Sequence, residues 1–300
     1  NDGYDPDDWF PTSGINTDWQ DAVTRTAPIT SMELAASGGS DRIRYRVSGS
    51  WFDQEGIVLA SGYRRIGGRV NLDFQATPRL FMSAGLGISG ELNDRIEADD
   101  NLEGIVGNAI AAEPYVPVRQ PDGSFTPSSV PLTYPNAVHL AKENTTTART
   151  STTLANVEAR YDLGRGLQIT GRVGVDQYNL TEEQFQSPLV PNTSGSRLGG
   201  VAKRGYSNAQ RYVFDAFANY NRSFGERHQL ALTAGTSLEQ SRSDNSFLTG
   251  EILTDAKLDQ VNNTTNVTVF SGTYSENGLV SLFGRANYTL DEKYLFGLSF

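Results

Sequence analysis

The side chains that most often carry chemistry are scarce here. The 300 residues include no Cys, two Met and two His, His139 and His228. Neither histidine has a second His, a Cys or a carboxylate pair at ligand spacing, so neither reads as a metal ligand. Glu182-Glu183 has the groups that a glycosidase divides between acid and base. Neighbours on an extended loop point apart, so these carboxyls do not converge on one bond. Asp2, Asp5, Asp7 and Asp8 lack the Asp-x-Asp-x-Asn-Gly spacing and closing Glu of a calcium loop and read as solvated. Asp99-Asp100 and Asp122-Gly123 read as turn residues. No catalytic residue, metal or cofactor is expected, and the protein does not read as an enzyme. The formal charge of −10 argues against nucleic acid as a partner, since phosphates call for a basic face.

Two groups of residues suit binding better than bond-making. Arg42, Arg44 and Arg46 share one strand face, as do Arg65 and Arg69. They can line a solute path or hold carboxylates; the plainer reading is a wet wall, pairing with Asp73, Glu158 and Asp176. The segment 93–149 is long for a structureless connection and carries Pro114, Pro117, Pro121, Pro127, Pro131 and Pro135. Its rings Tyr115, Phe125 and Tyr134 offer flat faces of the kind that stack on sugars, and are the candidate contacts for a substrate or partner. The alternative is a rigid surface lid that packs through those rings.

What must position these groups is a set of strands. Ile43, Tyr45, Val47, Gly49 and Trp51 interleave with Arg44, Arg46, Ser48 and Ser50, and the same period of two recurs along the chain. Ile66–Phe74, Leu80–Ile88, Ala155–Tyr161, Leu167–Val175, Tyr212–Tyr220, Leu230–Leu238 and Val280–Tyr288 repeat it. With weaker strands near 29–38 and 294–300, about ten are expected, most of 12 to 16 residues. Short turns at Gly38–Asp41, Thr77–Arg79, Gly164–Gly166, Gly225–Arg227 and Asp291–Lys293 alternate with long connections near 53–63, 93–149, 181–205 and 243–277. Tight turns at one end and long loops at the other are the signature of an outer-membrane barrel. Phe74, Phe81, Tyr161, Tyr220, Phe224, Tyr288 and Tyr294 gather beside the short turns, as an interfacial girdle does. No stretch approaches the roughly 18 apolar residues of a membrane-spanning helix. The expected fold is all-β: a partial transmembrane antiparallel barrel with long external loops. A soluble β-sandwich or adhesin shares the alternation, but strands in soluble sheets average only about 5–6 residues.

Several segments are more specific than any barrel pattern. Thr17-Asp18-Trp19-Gln20-Asp21, Arg25-Thr26-Ala27-Pro28, Ala36-Ser37-Gly38-Gly39-Ser40 and Phe52-Asp53-Gln54-Glu55-Gly56-Ile57-Val58 resemble the mid-barrel portion of the SusC/RagA family of TonB-dependent outer-membrane transporters. Pro114–Val118, Pro121–Phe125, Phe283–Tyr288 and Lys293-Tyr294-Leu295 follow in the family's order. The resemblance implies a plugged 22-stranded barrel that imports oligosaccharides or peptides, is energised by the TonB complex, and works with a SusD-like surface lipoprotein. On this reading residues 1–300 are one stretch of a single barrel domain in the lipid of a bacterial outer membrane, with plug, TonB box and remaining strands lying elsewhere. A passive porin is the alternative function.

Overall fold

The computed structural model describes residues 14–96, 103–127, 134–255 and 257–300. Within them, ten strands form one antiparallel meander in which each pairs with the next. They are β1 (Ile29–Gly39), β2 (Ile43–Glu55), β3 (Gly62–Thr77), β4 (Leu80–Arg95), β5 (Thr145–Gly164), β6 (Leu167–Gln186), β7 (Val201–Phe224), β8 (His228–Leu253), β9 (Thr264–Leu290) and β10 (Tyr294–Ser299). The expected count and pairing are met, and β1 and β10 are the two edges of the open sheet.

Because side chains alternate, register decides whether apolar positions meet. Tyr45, Leu72, Ala84, Val157, Val173, Phe214, Leu238 and Val280 stand opposite one another in turn, one row across eight strands. One residue along each strand runs a second row: Arg44, Asp73, Ser83, Glu158, Arg172, Asp215, Ser237 and Ser281. The sheet therefore has one apolar and one polar face. Among the described residues no protein layer covers the apolar face, and Tyr45, Leu72, Val157, Phe214 and Val280 are all exposed on it. Such a face is stable against lipid, and strands β2 to β9 are paired on both sides in the ladder.

The apolar stretch covers 43–51 in β2, 66–74 in β3, 167–175 in β6, 212–220 in β7 and 230–238 in β8, nine residues each. A tilted strand needs roughly 9–11 to cross the hydrocarbon core. The tight turns lie at one end of these stretches. At Gly164-Arg165-Gly166 three successive residues have positive φ, and a Cβ on Gly166 would lie 1.9 Å from the Asn221 carbonyl oxygen. Only glycine fits that approach.

Three expectations need correction. First, strands β5 to β9 run 20 to 27 residues, longer than expected. The connection placed at 243–277 shrinks to 254–263, and 53–63 and 181–205 shrink to 56–61 and 187–200. Most of the extra strand is polar on both faces, and its few apolar side chains, Phe247, Val267, Val269 and Phe270 among them, set no sustained alternation to read. At a rise of about 3.3 Å per residue and a tilt near 40°, ten such residues lift the wall about 25 Å beyond the apolar stretch. Second, Phe81 does not join the girdle: it lies on the polar face beneath the Arg160 guanidinium, 4.4 Å from the ring centre. Third, the segment 93–149 has its own structure, in α2 (Ile105–Ala111) and α3 (Ala137–Glu143); α1 (Trp19–Val23) precedes the sheet and α4 (Ser194–Arg197) lies between β6 and β7. Asp2, Asp5, Asp7, Asp8, Asp99, Asp100 and Pro131 lie outside the described residues.

Candidate functional site

Two surfaces position functional side chains: the polar face of the sheet, which lines the lumen, and an assembly of external segments at its long-loop end. On the polar face carboxylates and guanidiniums interlock across strands. Arg172 donates to Glu158 at 2.6 and 3.0 Å, Arg160 reaches the same carboxylate at 2.8 Å, and Ser237 donates to Asp215 at 2.7 Å. Arg211 and Glu239 form a two-pronged pair at 2.8 and 2.7 Å. Such forked pairs fix both partners. The plain reading of the arginines therefore holds for Arg44, whose guanidinium lies 3.9 Å from Asp73. Arg46 and Arg69 line the same wet wall without the expected pairing: they face Asn71 and Ser48 across the ladder, and no ion pair to either occurs among the described residues. A groove of about 350 Å³ runs past Glu33, Ser50, Arg65, Arg69 and Ser89. It meets a second, of about 310 Å³, at Thr152 and Leu154, beside Asp176, Tyr178 and Arg211.

Glu182 and Glu183 prove to be strand residues, not loop residues, and they point to opposite faces. Glu182 takes Arg95 at 2.9 Å on the lumen side; Glu183 takes Arg149 at 2.6 Å on the other. Among the described residues no group of three His, Cys, Asp or Glu is placed to hold a metal ion.

The external assembly is built around a small apolar core. Trp19 and Val23 of α1, Ile105 and Ala109 of α2, Ala137 and Leu140 of α3, and Val190 are buried together. The spacing i, i+4 within α1 and α2 puts each pair on one helix face. Backbone bonds tie the segments: Thr17 N–H donates to the Pro114 carbonyl at 2.7 Å, Arg25 N–H to Ile57 at 2.8 Å and Leu59 N–H to Val23 at 2.9 Å. The Trp19 indole donates to the Glu113 carbonyl at 3.0 Å. Asn136 is the hub of the long connection. Its side-chain oxygen caps α3 by accepting from Val138 and His139 N–H, both at 3.1 Å. Its amide donates to the Val118 and Thr126 carbonyls at 2.9 and 3.0 Å, using the group's full capacity for this site.

The three candidate rings are not brought into one platform. Phe125 is already engaged, stacked on His139 at 4.3 Å with the Arg119 guanidinium 3.9 Å from its centre. Burial, aided by Lys142 and Arg119, pushes the His139 imidazole below its usual range against the opposing pull of Glu143. Tyr115 is half-buried beside Pro114, and Tyr134 is exposed two residues before the Asn136 cap. Sequence reading missed the rings that face the lumen: Phe52 and Tyr63, edge to face at 5.9 Å near the outer end, and Tyr178 in the second groove. The signal was available for Phe52 and Tyr63, aromatics whose period-two neighbours Ser50, Gln54, Ser61 and Arg65 are polar.

No protein-family model matches the chain. TonB-dependent receptor P3 of Formosa agariphila is 30% identical over 290 residues, covering 94% of this chain and 28% of that protein. TonB-dependent receptor SusC of Bacteroides thetaiotaomicron is 26% identical over 315 residues, covering 94% and 29%. The chain thus spans less than a third of the length of these relatives. Among solved structures, that of the RagAB peptide transporter superposes with a TM-score of 0.79 at 20% identity, covering 95% of this chain and 32% of that one. With its period-two faces, one-sided turns and nine-residue apolar stretches, the chain is similar over nearly all its length to TonB-dependent receptors, SusC among them, and has the fold of part of an outer-membrane β-barrel of that kind.

Proposed function

We propose that residues 1–300 form part of a single barrel domain whose complete protein takes up a bulky solute, a peptide or oligosaccharide, by TonB-dependent import. The observation that carries this reading is the core-locked external assembly. Segments 14–28, 56–61, 103–127, 134–144 and 187–200 are tied together at the mouth of a polar wall, an arrangement suited to capture followed by passage. Tyr115, Phe125 and Tyr134 are the proposed contacts for solute or for a SusD-like lipoprotein, with Tyr134 the exposed ring free to stack directly. The peptide named for the RagAB transporter supports the first of these solute classes, and the second is the one the sequence resemblance implies.

The test is uptake of labelled oligopeptides and oligosaccharides by cells producing the full-length receptor, with and without an uncoupler of the inner-membrane proton gradient. Energised import predicts loss of uptake on uncoupling. Undiminished uptake would establish a passive pore instead. A protease site inserted after Gly123, in an exposed turn, should be cut on intact cells and one after Arg165 should not.

A further inference from the structure

On the lipid side of the wall, chemistry changes abruptly above the apolar stretch. Ala155, Val175 and Tyr212 form the last apolar row. The next row on the same face is Thr153, Gln177, Gln210, Arg242 and Glu276, and the one after is Ser151, Asn179, Asn208, Asp244 and Tyr274. Two residues along a tilted strand raise the level by about 5 Å, so these rows lie about 5 and 10 Å above the apolar edge. They continue the lipid-facing surface without a break, at the level of the outer leaflet's headgroups.

We propose that this outward face of β5 to β9 binds the saccharide headgroups of outer-leaflet glycolipid. Three observations choose that occupant. The first is continuity: any molecule touching these rows lies in the leaflet whose chains touch Val175 and Phe214. The second is composition. Planar amides at Gln177, Asn179, Asn208 and Gln210 offer paired donors and acceptors to neighbouring hydroxyls. Tyr206, Tyr212 and Tyr274 are 43%, 47% and 54% exposed and present flat rings to sugar faces. The third is charge. Of the described residues on this face, Arg149, Arg204 and Arg242 balance Glu183, Asp244 and Glu276. Arg149 and Arg204 lie 2.6 and 3.7 Å from Glu183, and Arg242 lies 4.9 Å from the Tyr274 ring centre. Guanidiniums already engaged in this way favour neutral hydroxyls over phosphate as ligands.

The experiment places the full-length receptor in nanodiscs of phosphatidylethanolamine and phosphatidylglycerol, with or without rough lipopolysaccharide, and follows backbone hydrogen exchange across residues 149–153, 177–181 and 206–210. Glycolipid should slow exchange there and leave residues 65–69, in the first lumen-side groove, unchanged. Asn179→Ala combined with Tyr206→Ala removes one amide and one ring and should lower glycolipid retained per receptor, weighed by native mass spectrometry, about tenfold. Ser207→Ala, on the lumen face of the same strand, should leave it unaltered. The wild-type comparison needs no variant to fold. Equal exchange in both discs overturns the proposal. So does equal protection by free core oligosaccharide, which would mark a soluble-sugar site, or protection that tracks receptor dimers, which would mark a protein interface.

Discussion

Trp19 is the residue on which the external assembly most depends, and its removal can be worked through. The side chain is 5% exposed, so nearly all its surface is lost from water. A tryptophan buries about 150–250 Å², which at about 25 cal/mol/Å² gives about 4–6 kcal/mol as an upper bound. Truncations of buried Trp cost about 3–5 kcal/mol. The indole bond to the Glu113 carbonyl contributes about 1 kcal/mol of that. Trp19→Ala should therefore weaken closure of the assembly by about 4 kcal/mol, and Trp19→Phe, which keeps most of the packing, by about 1–2 kcal/mol. The assay is hydrogen exchange on the full-length receptor in lipid, read at the amides of Asn108 and Ala112, which bond to the Gly104 and Asn108 carbonyls within α2. At 1.4 kcal/mol per factor of ten, they should exchange up to about 1,000-fold faster in Trp19→Ala. Amides of the membrane rows, such as Val157 and Val173, should not change. Unaltered exchange in α2 would refute the shared core; equal acceleration everywhere would mean that the barrel itself depends on Trp19.

Other perturbations separate the faces and the hub. Val70→Arg puts a charge into hydrocarbon and should lower stability in lipid by about 2–4 kcal/mol, while Asn71→Arg, on the wet face, should cost far less; a costlier Asn71→Arg in lipid-based unfolding would swap the two faces. Asn136→Ala removes the α3 cap and strands two carbonyls, so exchange within α3 should reflect about 2–4 kcal/mol of lost protection. Asn136→Asp keeps the cap but cannot donate, and should fall between; equality with wild type would dismiss the carbonyl bonds. Since docking holds His139 below its usual range, the open state takes up its proton first as pH falls through about 6.5. Protection of α3 should then decline below that pH, and His139→Phe, which keeps the stack on Phe125, should flatten the dependence when exchange is corrected for its intrinsic pH rate.

Where a strand separates lipid from water, the sequence announces it. Val173 and Arg172 are adjacent, opposite in polarity and correctly assigned. Where both faces meet water the alternation disappears, which is why Ser243 to Asn245 read as loop although each pairs with β9. The helices escaped for another reason. At five to seven residues, α1, α2 and α3 are too short to be stable alone and exist through their shared core, a long-range fact. Their caps were nonetheless legible: Asp18 ahead of Trp19 and Asn136 ahead of Ala137 are ordinary start signals. The candidate rings were chosen for flatness alone, and only coordinates could show that Phe125 is already occupied by His139 and Arg119.

The unbroken pairing also limits how such a protein can change length. Bulges interrupt the ladder at Gln75/Thr77, Asp162/Gly164 and Thr249/Gly250, all near strand ends, and none falls within the nine-residue stretches. A strand bonded on both sides cannot gain one residue there without turning every side chain beyond it to the wrong face. Its neighbours, locked to it, offer no slack to absorb the slip. Insertions and deletions should therefore accumulate in 56–61, 96–144, 187–200 and 254–263. Inside the wall they should come only as matched pairs on both arms of a hairpin. A lineage of such receptors can diversify freely in what it meets outside the cell while its girth and its faces stay fixed.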